Sequence, residues 1–269
     1  MSEYLLETRN VSVSIDNKAI LQSVSFTLQA GECIALIGSS GSGKSMMAKV
    51  IVQLLPQTAT SLGEIIWKGK AIRNYSEKEF RGLLGKEISI IFQNSGESLN
   101  PTMKIGCQIA EIFREHCPLV SNAEVRQKIT SLLEEVGLPL SIYEKYPHHL
   151  SGGMQQRVCI AMALAMSPSL LIADEPTTAL DPILQKQILH LLEALQKNRS
   201  MSILFITHDL RLITKFCSRA LILDKGEIVE SASVRDLFTS PKHPVPKKLI
   251  QSIPKLPKDF PVTTLVTTP

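Results

Sequence analysis

A glycine-rich segment near the start of the chain constrains the fold more than any other feature. Its eight residues fit the spacing G-x-x-x-x-G-K-[ST] and are Gly38, Ser39, Ser40, Gly41, Ser42, Gly43, Lys44 and Ser45. The segment follows the apolar run Cys33 to Ile37 and precedes a predicted helix. Successive backbone N–H groups of such a loop, with the positive end of the helix, bind phosphate. Lys44 would reach the β- and γ-phosphates, and the Ser45 hydroxyl would bind Mg²⁺.

Short apolar runs alternate with segments of helical periodicity over most of the chain. Strands are predicted at Val11 to Ile15, Val24 to Leu28, Cys33 to Ile37, Glu64 to Trp67, Ile88 to Phe92, Leu170 to Ala173, Ser202 to Ile206, Ala220 to Leu223 and Glu227 to Glu230. Helices are predicted from the glycine-rich loop as far as Pro56, between Thr102 and Leu138, and over Met154 to Met166, Ile183 to Leu195 and Leu210 to Cys217. Near-continuous apolar strands alternating with helices predict a parallel sheet covered on both faces, an α/β fold.

The composition excludes several classes of protein. The 269 residues carry 29 basic and 25 acidic side chains, and a net charge of +4 is too small for a protein that coats DNA. The longest apolar run, Val158 to Met166, falls far short of the roughly 18 residues that a membrane-spanning helix needs. Charges at Glu3, Glu7 and Arg9 lie where the apolar region of a signal peptide would be, so we expect a cytosolic protein.

Two carboxylates follow a predicted buried strand in the second half of the chain. Asp174 and Glu175 come directly after Leu170 to Ala173, and α/β sheets bind ligands at this end of their strands. Asp174 would bind Mg²⁺ through a bridging water molecule, and Glu175 would polarise another water molecule for attack on the γ-phosphate. His208 follows the strand Ser202 to Ile206 and would contact the γ-phosphate from another strand end.

A second serine-glycine segment begins another predicted helix. A predicted helix follows directly after Ser151, Gly152 and Gly153. The segment therefore forms a second helix N-terminus, with Ser151 as its cap and with exposed N–H donors. One chain does not need two phosphate-binding loops for one nucleotide. We therefore expect this segment to bind the γ-phosphate held by another subunit, in a head-to-tail dimer with ATP between the halves.

Taken together, the ordered motifs resemble those of the nucleotide-binding subunits of ABC transporters, over roughly residues 4 to 240. They are the loop from Gly38 to Ser45, Gln93 in IIFQN, LSGGMQQR from Leu150, LLIADEP from Leu170, TALD from Thr178 to Asp181 and THD from Thr207 to Asp209. The resemblance implies a P-loop NTPase core with a mainly parallel sheet, an N-terminal antiparallel β subdomain and an inserted helical subdomain at about 95–160. This ATPase domain would cover residues 1–240. Seven of the fifteen prolines lie in residues 241–269, which predicts an irregular surface tail.

The resemblance also implies the roles of individual residues. Glu175 would be the catalytic base, His208 the switch histidine, and Gln93 the glutamine that senses Mg²⁺ and faces the membrane partner. Ser151, Gly152 and Gly153 would close on the partner's ATP, with Asp181 at the dimer interface. The expected bound groups are ATP and Mg²⁺, the latter held by Ser45, Gln93 and Asp174.

Finer features resemble the peptide and nickel importers within this family. They are the segment Ser98 to Pro101, Met154 in the second glycine segment, and His243 to Pro254, where Val245 and Pro246 depart from the family pattern. No cysteine follows Cys217, whereas larger peptide members continue into a cysteine cluster. This favours import of nickel or a metal chelate, with dipeptide or oligopeptide import as the alternative.

The same resemblance implies the partners. They are a second ATPase subunit, more often a paralogue than a second copy, two transmembrane permease subunits and an extracytoplasmic substrate-binding protein. The chain would lie peripherally on the cytoplasmic face of the membrane. Two rivals are an ABC-type ATPase of DNA repair or translation and a small-molecule P-loop kinase. The first normally needs a coiled-coil insertion, zinc cysteines or tandem cores, and the second needs no LSGGMQQR segment, so we expect no nucleic-acid partner.

Overall fold

The computed structural model describes residues 4–93, 95–178, 180–214 and 216–252, and this part of the chain forms two β-sheets and eight α-helices. The first sheet has four antiparallel strands in the order β2-β1-β4-β5: β1 (Leu6–Ile15), β2 (Lys18–Leu28), β4 (Ala59–Trp67) and β5 (Lys70–Ala71). The second has six strands in the order β10-β9-β3-β8-β7-β6: β3 (Cys33–Ile37), β6 (Ile88–Ile91), β7 (Leu170–Asp174), β8 (Ser202–Thr207), β9 (Arg219–Asp224) and β10 (Glu227–Ser233). The helices are α1 (Lys44–Ile51), α2 (Glu77–Leu83), α3 (Ile105–His116), α4 (Asn122–Glu135), α5 (Gly152–Leu164), α6 (Pro182–Arg199), α7 (Val234–Thr239) and α8 (Pro244–Gln251).

The six-stranded sheet is parallel except for its edge strand β10, which pairs antiparallel with β9. Every residue of β3, β7 and β8 is buried, as a sheet covered on both faces requires. Alternate residues of β3 enter different cores: Ile34 packs with α1 and the antiparallel sheet, and Ala35 packs with the helices of the other face. The predicted α/β fold, with its antiparallel sheet and helical subdomain, is confirmed.

The order of the strands in the six-stranded sheet determines which strand ends lie next to each other. Strand β8 lies between β3 and β7, with Ile37 opposite Thr207 and Asp174 opposite Ile206. The carboxyl ends of three strands far apart in sequence therefore lie side by side. Ligands bind at this edge of parallel sheets.

The helical subdomain is joined to the sheet by one continuous core. Phe113 of α3 and Leu133 of α4 are buried in the same cluster as residues of β3, β7 and β8. At the end of α6, Arg199 donates to the carbonyl of Leu164 (3.0 Å) and forms an ion pair with Glu135. These contacts hold α4, α5 and α6 together.

Two predicted helices differ from the structure. Helix α1 ends at Ile51, short of Pro56, because Gln53 takes a left-handed conformation (φ 55°) and turns the chain towards β4. The helix predicted over Leu210 to Cys217 is wrong: the structure has only a 3₁₀ turn at Leu210–Leu212 followed by turns, and Lys215 lies outside the described residues. Short turns are enough to bury the apolar residues whose spacing predicted a helix there.

The irregular tail predicted from residue 241 is also wrong in part, because Pro244–Gln251 form α8. Proline is favoured in the first turn of a helix, where its missing N–H is not needed, so Pro244 begins this one. His243 caps the helix through its ring nitrogen, and the Glu230 carboxylate accepts the N–H groups of Lys242 and His243. Residues 253–269 of the predicted tail lie outside the described residues.

Within the described residues, no helix combines the length and the apolarity that a crossing of the lipid bilayer requires.

Gly226 offers a test of how the two sheets are joined. Its φ is 86°, a Cβ there would lie 2.5 Å from the carbonyl oxygen of Ile20, and its own N–H donates to the carbonyl of Ser42 (3.0 Å). We expect Gly226→Ala to lower the free energy of unfolding by about 2 kcal/mol or more, measured by urea denaturation.

The matched control is Gly82→Ala on the exposed surface of α2, where a Cβ would meet nothing within 4 Å. This change removes a glycine from a helix and should raise the free energy of unfolding by about 0.5–1 kcal/mol. Equal stabilities of the two variants would contradict the packing of Gly226 described above.

Candidate nucleotide-binding and hydrolysis site

The glycine-rich loop joins β3 to α1 and packs closely both on itself and against β9. A Cβ at Gly38 would lie 2.3 Å from the carbonyl oxygen of Leu223 and 2.4 Å from Ser42 Oγ, so no side chain fits there. Ser42 Oγ is buried and has no hydrogen-bond partner among the described residues. The Lys44 amine donates to the carbonyls of Gly38 (2.9 Å) and Ser39 (3.0 Å), so its side chain curls back over the loop.

Glu175 lies at the centre of the site, directly after β7. Its φ is 46°, and its N–H donates to the carbonyl of Ile206 (2.9 Å), which ties it to β8. One carboxylate oxygen, Oε1, lies 3.7 Å from Lys44 Nζ and 3.2 Å from His208 Nδ1. The other, Oε2, accepts from Gln93 Nε2 at 3.3 Å. The structure therefore brings Lys44, Gln93 and His208, three residues from separate motifs, to the carboxylate of Glu175.

The electrostatics keep that carboxylate ionised. Burial alone would raise the pKa of Glu175, but hydrogen bonds from Thr178 and His208 and the charge of Lys44 together lower it below its usual value. Burial lowers the pKa of the Lys44 amine, while Glu175 and Asp174 oppose that change. Glu175 is therefore held in the ionised form, which is the form that a general base needs in order to accept a proton.

Asp174, the last residue of β7, has the properties of a cation ligand. It is buried, its Oδ1 has no partner among the described residues, and the Ser45 hydroxyl hydrogen-bonds the carboxylate. Burial raises the pKa of Asp174 above its usual value. An unpartnered buried carboxylate oxygen beside a hydroxyl is an oxygen donor set that Mg²⁺ prefers. These residues fit a magnesium ion at the positions expected for Ser45 and Asp174.

A second group of predicted residues lies at the adjacent ends of α5 and α6. Ser151 caps α5 by accepting the N–H of Met154 (3.4 Å), and Ser151 and Gly152 are exposed. Asp181 caps α6 through one oxygen, Oδ1, which accepts the N–H groups of Ile183 and Leu184, both at 3.0 Å. The two helix ends meet where a Cβ at Gly153 would lie 3.1 Å from Leu184 Cδ1. Within TALD, Ala179 lies outside the described residues.

Sequence reasoning missed the role of Thr178. Its hydroxyl donates to Glu175 Oε2 at 2.8 Å, the shortest contact to that carboxylate among those described above. The residue stood within the TALD motif without a separate role. A hydroxyl three residues after a glutamate in a turn was the available signal, since Ser and Thr in turns bond to nearby groups.

The fold and the site together define a P-loop nucleotide hydrolase. A family model described as ABC transporter matches residues 21–178. The oligopeptide transport ATP-binding protein OppD of Bacillus subtilis is 44% identical over 94% of this chain and 72% of its own. The dipeptide transport ATP-binding protein DppD of Lactococcus lactis is 42% identical over 99% of this chain and 78% of its own.

The fold of this chain is also similar to that of a solved ATP-binding cassette. The ATP-binding cassette MJ0796, dimeric and bound to ADP and Pi, superimposes with a TM-score of 0.76 at 28% identity over 86% of this chain and 99% of its own. The chain belongs to the ABC transporter family and is one of its ATP-binding, ATP-hydrolysing subunits. The resemblance drawn from the motifs is confirmed. The preference for nickel finds no support in the names of these relatives, whereas the peptide alternative does.

Lys44 provides a direct test of nucleotide binding. We expect Lys44→Ala to raise the Kd for ATP by about 100-fold, because a charged hydrogen-bond donor to the phosphates is lost. Isothermal titration calorimetry of the full chain measures the change.

Lys49→Ala is the matched control, since Lys49 is an exposed lysine five residues further along α1. Lys49→Ala removes the same charge and should leave the Kd for ATP within about twofold of the wild-type value. A Lys44→Ala chain that melts normally and binds ATP as tightly as Lys49→Ala would contradict the assignment.

Proposed function

We propose that this chain is the ATPase subunit of an ABC importer for short peptides, in which two ATPase chains hold Mg²⁺ and ATP between them. The observation that carries the proposal is the convergence of Lys44, His208 and Gln93 on the Glu175 carboxylate, next to the phosphate-binding loop. The names of the relatives OppD and DppD support the peptide substrate.

Hydrolysis would use each residue of this cluster in a distinct way. Lys44 and the loop N–H groups hold the β- and γ-phosphates, and His208 contacts the γ-phosphate. Ser45, Asp174 and Gln93 would hold Mg²⁺, which supplies positive charge to the phosphate oxygens when bound. Glu175 accepts a proton from water as the water oxygen bonds to the γ-phosphorus. The bond from that phosphorus to the β–γ bridging oxygen breaks, giving ADP and phosphate.

The Lys44–Glu175 pair implies an order of events. In this structure Lys44 Nζ lies 3.7 Å from Glu175 and also caps the carbonyls of its own loop. The phosphates of ATP would compete for the same amine. Their arrival therefore releases Glu175 from its cationic neighbour and leaves its carboxylate free to bind water.

The exposed start of α5 supports the second half of the proposal. Ser151 and Gly152 are exposed and present N–H donors at the positive end of a 13-residue helix. These donors would bind the γ-phosphate on a second ATPase chain, with Asp181 nearby at the interface. The similar cassette MJ0796 forms a dimer with ADP and Pi bound, which supports this arrangement. A paralogue is the favoured second chain.

A groove between β6 and the helical subdomain is suited to a permease. It encloses about 520 Å³ and is lined mainly by apolar side chains, among them Leu84, Ile90, Phe92, Leu99, Ile112 and Met162. Gln93 follows Phe92 at one end, so a helix of a permease seated there would lie next to the catalytic carboxylate. Glu111 and Glu115 line the same groove and would pair with basic side chains of that helix. The chain would thus lie on the cytoplasmic face of the membrane, with a substrate-binding protein on the other side.

Glu175→Gln tests the catalytic and dimeric parts of the proposal. We expect this variant to bind ATP, to lose at least about 100-fold in turnover because the base is absent, and to form a stable dimer in Mg²⁺ and ATP. Size-exclusion chromatography with light scattering measures the mass, in mixtures with the second ATPase chain if the dimer is mixed.

Glu193→Gln serves as the control, because Glu193 pairs with Lys197 on the surface of α6. It should hydrolyse ATP at the wild-type rate. Normal hydrolysis by Glu175→Gln would overturn the assignment of the base, and a monomer under all nucleotide conditions would overturn the shared site.

The substrate is tested in the assembled transporter. Permeases and a binding protein that co-purify with the full chain are reconstituted in vesicles, and ATP hydrolysis is measured with di- to pentapeptides, with Ni²⁺ and with a nickel chelate. We expect peptides to stimulate hydrolysis at least about tenfold more than either nickel probe does. Stimulation by nickel alone would overturn the peptide assignment and restore the nickel alternative.

A further inference from the structure

Thr178 is bound to Glu175 by two hydrogen bonds within one turn. Its hydroxyl donates to Glu175 Oε2 at 2.8 Å, and its N–H donates to the Glu175 carbonyl at 3.3 Å. Glu175 itself is fixed to β8 through its N–H bond to Ile206. Main chain and side chain therefore both hold this turn in one geometry.

The other donors to the carboxylate have further duties in the proposed reaction. Lys44 and His208 would turn to the phosphates, and Gln93 would turn to the metal ion. All three contacts to Glu175 are also longer, at 3.2 to 3.7 Å. Of the donors described here, only the Thr178 hydroxyl has no such second task.

We propose that Thr178 is a positioning residue whose hydroxyl fixes the orientation of the Glu175 carboxylate for accepting a proton from water. The inference rests on the proposed role of Glu175 as the base. With Oε2 held by Thr178, Oε1 is the oxygen that faces Lys44 and His208, on the side of the phosphate-binding loop. Release of Lys44 by ATP then exposes Oε1 to the attacking water.

The position of Thr178 also connects the base to the dimer-facing surface. Leu180, two residues further on, lies against the start of α5, where a Cβ at Gly152 would be 3.9 Å from its Cδ2. Asp181 then begins α6. Displacement of these helix ends on closure of the dimer would therefore act on the turn that holds Glu175.

The test compares Thr178→Val, which has the same shape without the hydroxyl, with Thr178→Ser, which keeps it. Single-turnover hydrolysis of ATP by the full chain with its second ATPase subunit is measured at neutral pH, together with the Kd for ATP. We expect Thr178→Val to lower the rate about tenfold and to leave the Kd for ATP within about twofold of the wild-type value. Thr178→Ser should restore the rate to within about threefold of wild type.

Thr239→Val is the control, because that hydroxyl donates to a backbone carbonyl on the exposed surface of α7. It should leave the rate and the Kd for ATP unchanged. Thr178→Ala gives a second hydroxyl-free variant if Thr178→Val does not fold. A wild-type rate in both hydroxyl-free variants would overturn the inference, as would failure of serine to restore the rate.

Glu175→Gln is run in the same assay to separate the two proposals. If Glu175→Gln hydrolyses ATP normally, the assignment of the base fails and the role of Thr178 fails with it. If Glu175→Gln is inactive while the hydroxyl-free variants behave as wild type, only the role of Thr178 fails.

Discussion

The parallel pairing of β8 between β3 and β7 is the constraint on which the rest of the structure depends. It places the end of β3, with its phosphate-binding loop, two strands from the end of β7 and its two carboxylates. Glu175 adds a hydrogen bond from its own N–H to the carbonyl of Ile206 in β8, so this residue is fixed to the middle strand as well as to its own. Full burial of all three strands makes any slip of register costly, since apolar side chains fill both faces.

Acidic and basic groups are crowded at this edge of the sheet. The charges of Lys44 and Lys49 act on Asp174, which lies beside Glu175, and burial removes much of the water that would screen them. A triphosphate adds further negative charge. The proposed metal ion, the loop N–H groups and the helix end of α1 supply the compensation, which explains why an oxygen of Asp174 lacks a partner within the described residues.

Much of this could be predicted from the sequence because the strongest signals are local. The apolar strands and the glycine-rich loop are each encoded in a few consecutive residues. Lys44 begins the helix after that loop, and Gln93, Glu175 and His208 closely follow strands, so their places can be read directly from the sequence. Their meeting at one carboxylate depends on strand order, which no local pattern specifies. Prolines predicted an irregular tail, but their effect depends on position in a helix, so α8 was missed.

In the proposed dimer Asp181 would have two roles at once, and this affects how its variants are understood. One of its oxygens is committed to the first turn of the 18-residue helix α6, which leaves Oδ2 for any neighbouring chain. Substitution by alanine removes a helix cap, worth about 1 kcal/mol, together with that second oxygen. Weakened assembly in such a chain would thus combine an intrinsic loosening of α6 with the loss of an intersubunit bond. Asparagine, which retains an oxygen able to cap, separates the two.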